Sequence, residues 1–277
     1  MSTSPTPRAT GTRARRGRRR GGAFVVLLAL VLFGGAYAVV QPNQRANAQA
    51  PEAADIQAGR SLFVSAGCVT CHGLNADGVK DKGPTLIGVG AASVDFQVGT
   101  GRMPLAQLGQ QAIARKPVFT DTEISQLATY VASLAPGPAI PSADQYSTSN
   151  VSDADMAQGG ELFRTNCAGC HNFAGKGGAL PNGVNAPPLT NATNAQLYEA
   201  MLTGPYQMPV FADTTITQAD KQKVIAYIDH VRTADNTGGS TLGYLGPVTE
   251  GLWGWIAGIG SLVLIAVWLA ARGVRAA

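Results

Sequence analysis

Acidic residues are missing from both ends of this chain. All 17 aspartates and glutamates lie between residues 41 and 250, together with only 12 of the 21 lysines and arginines, so a formal net charge of +4 conceals a middle that is net −5. Seven arginines (Arg8, Arg13, Arg15, Arg16, Arg18, Arg19 and Arg20) crowd the first 20 positions, and Arg272 and Arg275 close the chain. A nucleic-acid interface needs basic residues carried on the folded part. The folded part is net acidic and no basic run follows there, so no nucleic-acid partner is expected. Histidine, cysteine and methionine are scarce as well, at three, four and five residues, so the position of each can be weighed singly.

All four cysteines and two of the three histidines fall in two pentapeptides, Cys68-Val69-Thr70-Cys71-His72 and Cys167-Ala168-Gly169-Cys170-His171. C-x-x-C-H is the attachment pattern of c-type haem. Two thiols on one tight turn add to the vinyl groups of a single porphyrin, and the adjoining imidazole comes under the iron as proximal ligand. A zinc knuckle or a redox C-x-x-C competes for one such copy; two copies that use every cysteine disfavour both. The pattern predicts two covalently bound haem c groups, attached at Cys68 and Cys71 and at Cys167 and Cys170, with His72 and His171 as iron ligands. No cysteine then remains for disulfides. Haem is attached outside the bacterial cytoplasmic membrane, which places the middle of the chain on that side.

A c-type haem needs a second axial group, and a methionine thioether both fills the site and raises the potential. Met103 stands in Thr100-Gly101-Arg102-Met103-Pro104 and Met208 in Thr203-Gly204-Pro205-Tyr206-Gln207-Met208-Pro209. The two match if the second copy carries two extra residues after Thr-Gly. A single methionine is more often core filler, but two on matched proline-bearing loops point to axial ligands. Met201 aligns with Val98 and reads as packing, Met156 has no counterpart, and His230 answers to Ser133, so none of these is expected on iron. Pro84 and Pro187 share a P-x-L pattern downstream of their histidines. A ligating histidine gives its other N–H to a carbonyl or carboxylate, so these two carbonyls are candidate partners; a plain turn proline is the alternative.

From residue 23 to 40 the run AFVVLLALVLFGGAYAVV holds no charge, long enough to cross a bilayer core of about 30 Å. The leader 1–22 has no apolar period, reads as disordered, and belongs by its arginines on the cytoplasmic side. The run is either an uncleaved anchor or a signal peptide cut near Ala36-Tyr37-Ala38 or Ala46-Asn47-Ala48. It exceeds the roughly 7–15 residues of a signal core, which favours retention. Residues 41–53 then read as a tether, 54–136 as a first domain, 137–152 as a Pro- and Ser-rich linker, 153–235 as a second domain and 236–251 as a Gly-rich spacer. Residues 252–271 form a second charge-free run, with Trp253, Trp255 and Trp268 placed like an aromatic belt, and 272–277 a cytoplasmic tail.

Helical spacing within the domains repeats. Ile56, Leu62, Phe63 and Ala66 mark a helix over about 54–66; Thr120 to Glu123 form a capping box ahead of the stripe Ile124, Leu127, Ala128, Val131 and Leu134, which Pro136 ends. Thr217 to Asp220 cap a closing helix with the stripe Val224, Ile225, Ile228 and Val231. Gly59 to Phe63 matches Gly159 to Phe163, and Tyr130 matches Tyr227. The expectation is an all-α protein, a tandem duplication between an N-terminal and a C-terminal transmembrane helix.

With Phe63 or Phe163, C-x-x-C-H, P-x-L, Met-Pro and Tyr130 or Tyr227 in order, each half resembles a class I cytochrome c domain. The whole layout, with stretches such as GPTLIGVG, TGRMP, CHNFAGKGGAL and AMLTGP, resembles the dihaem cytochrome c subunit of the actinobacterial cytochrome bcc complex. That resemblance implies an electron-transfer subunit, without a catalytic site of its own, of a menaquinol–cytochrome c reductase. It would work beside a cytochrome b subunit, take electrons from a Rieske iron–sulfur subunit and pass them to a haem–copper oxidase in a supercomplex. It would be multi-pass in the cell membrane, its haem domains extracytoplasmic and both termini cytoplasmic. A membrane-anchored dihaem shuttle or an oxidase cytochrome c subunit would share every motif. A dihaem peroxidase needs a displaceable sixth ligand, which two Met-Pro loops argue against.

Overall fold

The computed structural model describes residues 27–31, 53–109, 111–234, 242–244 and 247–275. Each domain is built by laying its first long helix across its last. In the first, α1 (Ala53–Ser65) leads into the one-turn α2 (Val69–His72), followed by α3 (Gly90–Gly99) and α4 (Asp121–Leu134). A single turn, α5 (Ala143–Tyr146), stands before the second domain, which repeats the order as α6 (Asp153–Asn166), α7 (Ala168–His171), α8 (Asn194–Thr203) and α9 (Gln218–Thr233).

Glycine permits both crossings. A Cβ at Gly59 would lie 2.0 Å from the Gln126 carbonyl oxygen of α4, and one at Gly159 would lie 2.0 Å from the Lys223 carbonyl oxygen of α9. One turn on, Phe63 tilts against Tyr130 and Phe163 against Tyr227, each pair with ring centroids 5.4 Å apart. Such a pair contributes about 0.5–1.5 kcal/mol beyond its burial.

The helix starts follow from capping chemistry. The Glu123 N–H donates to Thr120 Oγ1, and the Thr120 N–H donates to Glu123 Oε2 at 2.8 Å. Thr217 Oγ1 accepts from the Asp220 N–H at 3.2 Å, and Thr193 with Gln196 opens α8 in the same way. The stripes turn inward as expected: Ile124, Leu127, Ala128 and Val131 are buried with Phe63, and Val224, Ile225 and Ile228 with Phe163. Where the first copy has Ile124, the second has Lys221, which is 0% exposed. Its ammonium reaches Asp213 at 2.5 Å and lies 5.5 Å from the Tyr198 ring centroid, the pairing that a buried cation requires.

The fold is mostly helical, as expected, with one short hairpin besides. Gly178–Ala179 (β1) pairs antiparallel with Asn185–Ala186 (β2). The intervening turn holds Asn182 and Gly183 at φ of 65° and 74°, a region that Asn and Gly enter at least cost. Asn-Gly is a hairpin signal, and here it acts between the second haem motif and its P-x-L. The stretch 137–152 also does more than connect. The Ala92 N–H donates to the Pro138 carbonyl at 3.1 Å, and Gln222 Nε2 donates to the Asp144 carbonyl at 2.6 Å, so each domain holds the stretch. Helices α3 and α8 pack on each other.

The C-terminal run forms one helix, α10 (Pro247–Arg275). Its segment Thr249–Arg272 is long and apolar enough to cross a membrane, and the Arg272 guanidinium lies 4.2 Å from the Trp268 ring centroid. The anchor or signal expected at 23–40 lies outside the described residues except for 27–31, which are helical. The leader 1–22, most of 41–53 and half of 236–251 also lie outside them.

Gly159→Ala should drive α6 off α9 and lower the thermal midpoint of the folded domains by an amount corresponding to roughly 1–3 kcal/mol. Gly99→Ala, which meets nothing within 4 Å, should be neutral or slightly stabilising. Equal midpoints for the two variants would show that the close approach is not what holds the helices together.

Candidate functional site

The two C-x-x-C-H segments fold alike. In α2 the N–H groups of Cys71 and His72 both donate to the Cys68 carbonyl, at 3.2 and 2.9 Å; in α7 those of Cys170 and His171 donate to the Cys167 carbonyl, at 3.1 and 2.9 Å. One helical turn therefore brings residues three apart to the same face and sets each pair of thiols side by side. No disulfide joins any of the four cysteines. The loop that follows lies against the motif: a Cβ at Gly83 would come 2.6 Å from the Cys71 carbonyl oxygen, and one at Gly178 2.9 Å from that of Cys170.

This close return of the loop puts a carbonyl beside each imidazole. His72 Nδ1 lies 2.8 Å from the Pro84 carbonyl oxygen and His171 Nδ1 2.9 Å from that of Pro187. With the proton on Nδ1, the ring orientation is held and the Nε2 lone pair is left free for a metal. Burial lowers the His171 pKa, against the opposing pull of the Pro187 carbonyl, which favours the neutral, ligating imidazole. Burial raises the Cys68 thiol; burial and then the neighbouring Cys170 push the Cys167 thiol up to about 11.

In the second domain Cys167, Cys170, His171, Pro187 and Met208 line one cleft, whose other walls are largely apolar. In the first, Cys68 and Met103 pack against a common apolar cluster. The Met103 N–H is tied to the Gln97 carbonyl at 2.9 Å and the Met208 N–H to that of Pro205 at 3.1 Å. Met201 is 5% exposed in the second core, and His230 is exposed on α9. Among the described residues no three Cys, His, Asp or Glu side chains converge as a structural zinc site requires. Paired thiols, an imidazole with a fixed Nδ1 and an apolar wall are the donor set for covalent haem c.

One part of the second cleft escaped the sequence reading. Phe96, Thr100, Arg102 and Gln111, all from the first domain, line it too. Gln111 clamps the Asn185 backbone from both sides, its Nε2 donating to the carbonyl at 2.6 Å and its Oε1 accepting from the N–H at 2.9 Å. Tyr206, at φ 57°, meets the backbone of Ala112 and faces Arg102. A signal for this existed: Pro205-Tyr206 is the insertion that separates the two methionine loops, and the stretch between Met-Pro and the cap of the closing helix is longer in the first copy, residues 105–119 against 210–216. Beside this contact Glu199 of α8 is 1% exposed; burial, and then the Asp95 carboxyl of α3, push it up to about 9.

Comparison with known proteins follows the same division. A family model described as "Cytochrome c" matches residues 56–135, and one described as "Cytochrome C oxidase, cbb3-type, subunit III" matches residues 154–228. The chain is 43% identical over 274 residues to the cytochrome bc1 complex cytochrome c subunit of Corynebacterium diphtheriae, covering 94% of this chain and 97% of that one. The corresponding subunit of Mycobacterium bovis is 42% identical over 264 residues, with 94% of each chain covered. That of Mycobacterium leprae is 43% identical over 253 residues, 90% of this chain and 87% of that one.

Glu199 makes stability depend on pH. In the unfolded chain its carboxyl titrates at the ordinary 4.5, in the folded chain at about 9. The contribution is full below 4.5 and declines as pH climbs towards 9, because the unfolded chain then gives up a proton that the folded chain keeps. Glu199→Gln, which keeps the neutral shape, should flatten the fall in melting temperature across this window; an unchanged slope would remove Glu199 as its source.

Proposed function

Because this chain belongs to the family of cytochrome c subunits of cytochrome bc1 complexes, we propose that it is a membrane-anchored dihaem electron carrier of a quinol–cytochrome c reductase. It takes electrons from a Rieske iron–sulfur centre beside a cytochrome b subunit and passes them to a haem–copper oxidase. The observation that carries this reading is the repetition of one donor set: a thiol pair on a single turn, and an imidazole whose Nδ1 meets a proline carbonyl within 3 Å, at 2.8 Å in one copy and 2.9 Å in the other.

Covalently bound, haem c supplies a one-electron iron couple. Cys68 and Cys71, and Cys167 and Cys170, would hold the two groups through thioethers, and His72 and His171 would ligate the irons, their rings steadied by the carbonyls of Pro84 and Pro187. Met103 and Met208 would supply the second iron ligands, where a thioether would favour the ferrous state and close the iron to exogenous ligands. The apolar walls keep water out and favour the less charged state. Helix α10 serves as the anchor, with Arg272 and Arg275 on the cytoplasmic side, and the haem domains face the other side.

Met103→Ala and Met208→Ala should each abolish the weak near-infrared thioether–iron band of one haem. A band of full strength in both variants would sink the ligand assignment.

The order along the chain is from the Cys68/Cys71 haem, on the Rieske side, to the Cys167/Cys170 haem, on the oxidase side. In a Cys167→Ala, Cys170→Ala variant that still assembles, quinol should reduce the remaining haem within one turnover while oxygen consumption stops. Should quinol fail there, and succeed in the reciprocal Cys68, Cys71 variant, the order runs the other way.

A further inference from the structure

The cleft that holds Cys167, Cys170, His171 and Met208 has one formally charged side chain among the described residues lining it, Arg102, and Arg102 comes from the other domain. Its backbone neighbour is Met103, so two adjacent residues serve two sites. The Arg102 guanidinium lies 4.8 Å from the Phe96 ring centroid, with Phe96 itself 6% exposed on α3. Burial lowers its pKa, with Tyr206 pulling the other way. No carboxylate of the described residues forms a salt bridge with it. A guanidinium half-withdrawn from water, stacked on an aromatic face and aimed into an apolar cleft, calls for an anion there. Haem c brings its own anions, two propionate carboxylates, and a planar guanidinium binds a carboxylate through two parallel hydrogen bonds.

We propose that Arg102 of the first domain is the counter-cation of the second domain's haem, pairing with a propionate and setting that haem's potential across the domain boundary. This rests on the reading of His171 and Met208 as ligands of a second haem. The segment that presents Arg102 is held in place. Gln111 grips the Asn185 backbone at 2.6 and 2.9 Å, and the inserted Tyr206 meets Ala112 on the same side. A positive charge beside the haem favours the ferrous state, which carries one positive charge fewer, so Arg102 raises the second potential. The second domain does not supply this cation itself: in its own methionine loop Gln207, an uncharged residue, precedes Met208.

The test is spectroelectrochemistry of the full chain in its complex. Arg102→Gln should lower the second haem's potential, shifting its reduction equilibrium by tenfold or more, which for one electron is about 59 mV per tenfold. The first haem's potential and the near-infrared band owed to Met103 should stay where they are. Arg102→Lys keeps the charge but not the two-bond geometry. It should hold the potential while moving the propionate carboxylate band in redox infrared difference spectra, and that measurement decides alone if the Gln variant does not accumulate. An unmoved second couple in the Gln variant, a shift confined to the first haem, or an unmoved carboxylate band in the Lys variant would overturn the proposal. Wild-type protein that shows only one haem couple would instead overturn the dihaem reading beneath it.

Discussion

Two backbone carbonyls decide how closely each domain can close on itself. The oxygens of Gln126 and Lys223 occupy the space that a side chain would need at Gly59 and Gly159, so the opening and closing helices touch backbone to backbone. Everything else in a domain is measured from that contact. It sets Phe63 on Tyr130 and Phe163 on Tyr227. Helices α1 and α6 then lead directly into the two C-x-x-C-H turns. The loops then return against these turns through Gly83 and Gly178 and carry the proline carbonyls to the imidazoles. One missing methyl group per domain is thus connected, through packing, to the orientation of a histidine ring.

Duplicated domains have no inherent reason to face each other in a particular way. Here the contact is made by what the copies do not share. The longer stretch 105–119 belongs to the first copy and the insertion Pro205-Tyr206 to the second. From these come Gln111, holding Asn185, and Tyr206, meeting Ala112. Asp95 and the buried Glu199 add a carboxyl pair in which Glu199 stays protonated to about 9; two like charges side by side would push α3 and α8 apart.

Much of the fold was legible because helices write themselves periodically. The stripes beginning at Ile124 and Val224 and the caps at Thr120 and Thr217 announce α4 and α9 within a residue or two. Lys221 was not legible, since a lysine at a core position reads as a surface residue until Asp213, eight positions upstream on an irregular segment, is seen to meet it. The hairpin across Asn182-Gly183 was missed because each strand is only two residues long, too short for any alternation to register. Of the candidate site, the donor types and their order along the chain could be read directly. The first domain's share in the second cleft could not: Phe96, Thr100, Arg102 and Gln111 are brought together by tertiary packing and share no spacing.

The bonds from Ala92 to Pro138 and from Gln222 to Asp144 turn the stretch between the domains from a spring into a splint. Electron tunnelling falls off exponentially with distance, so a loosely jointed pair of redox domains samples a broad distribution of hopping rates dominated by rare close encounters. A splinted pair samples a narrower range of separations and of rates. With a haem in each domain, as proposed, transfer between them would depend less on solvent viscosity than across a loose joint, leaving viscosity to act mainly where the chain meets its external partners.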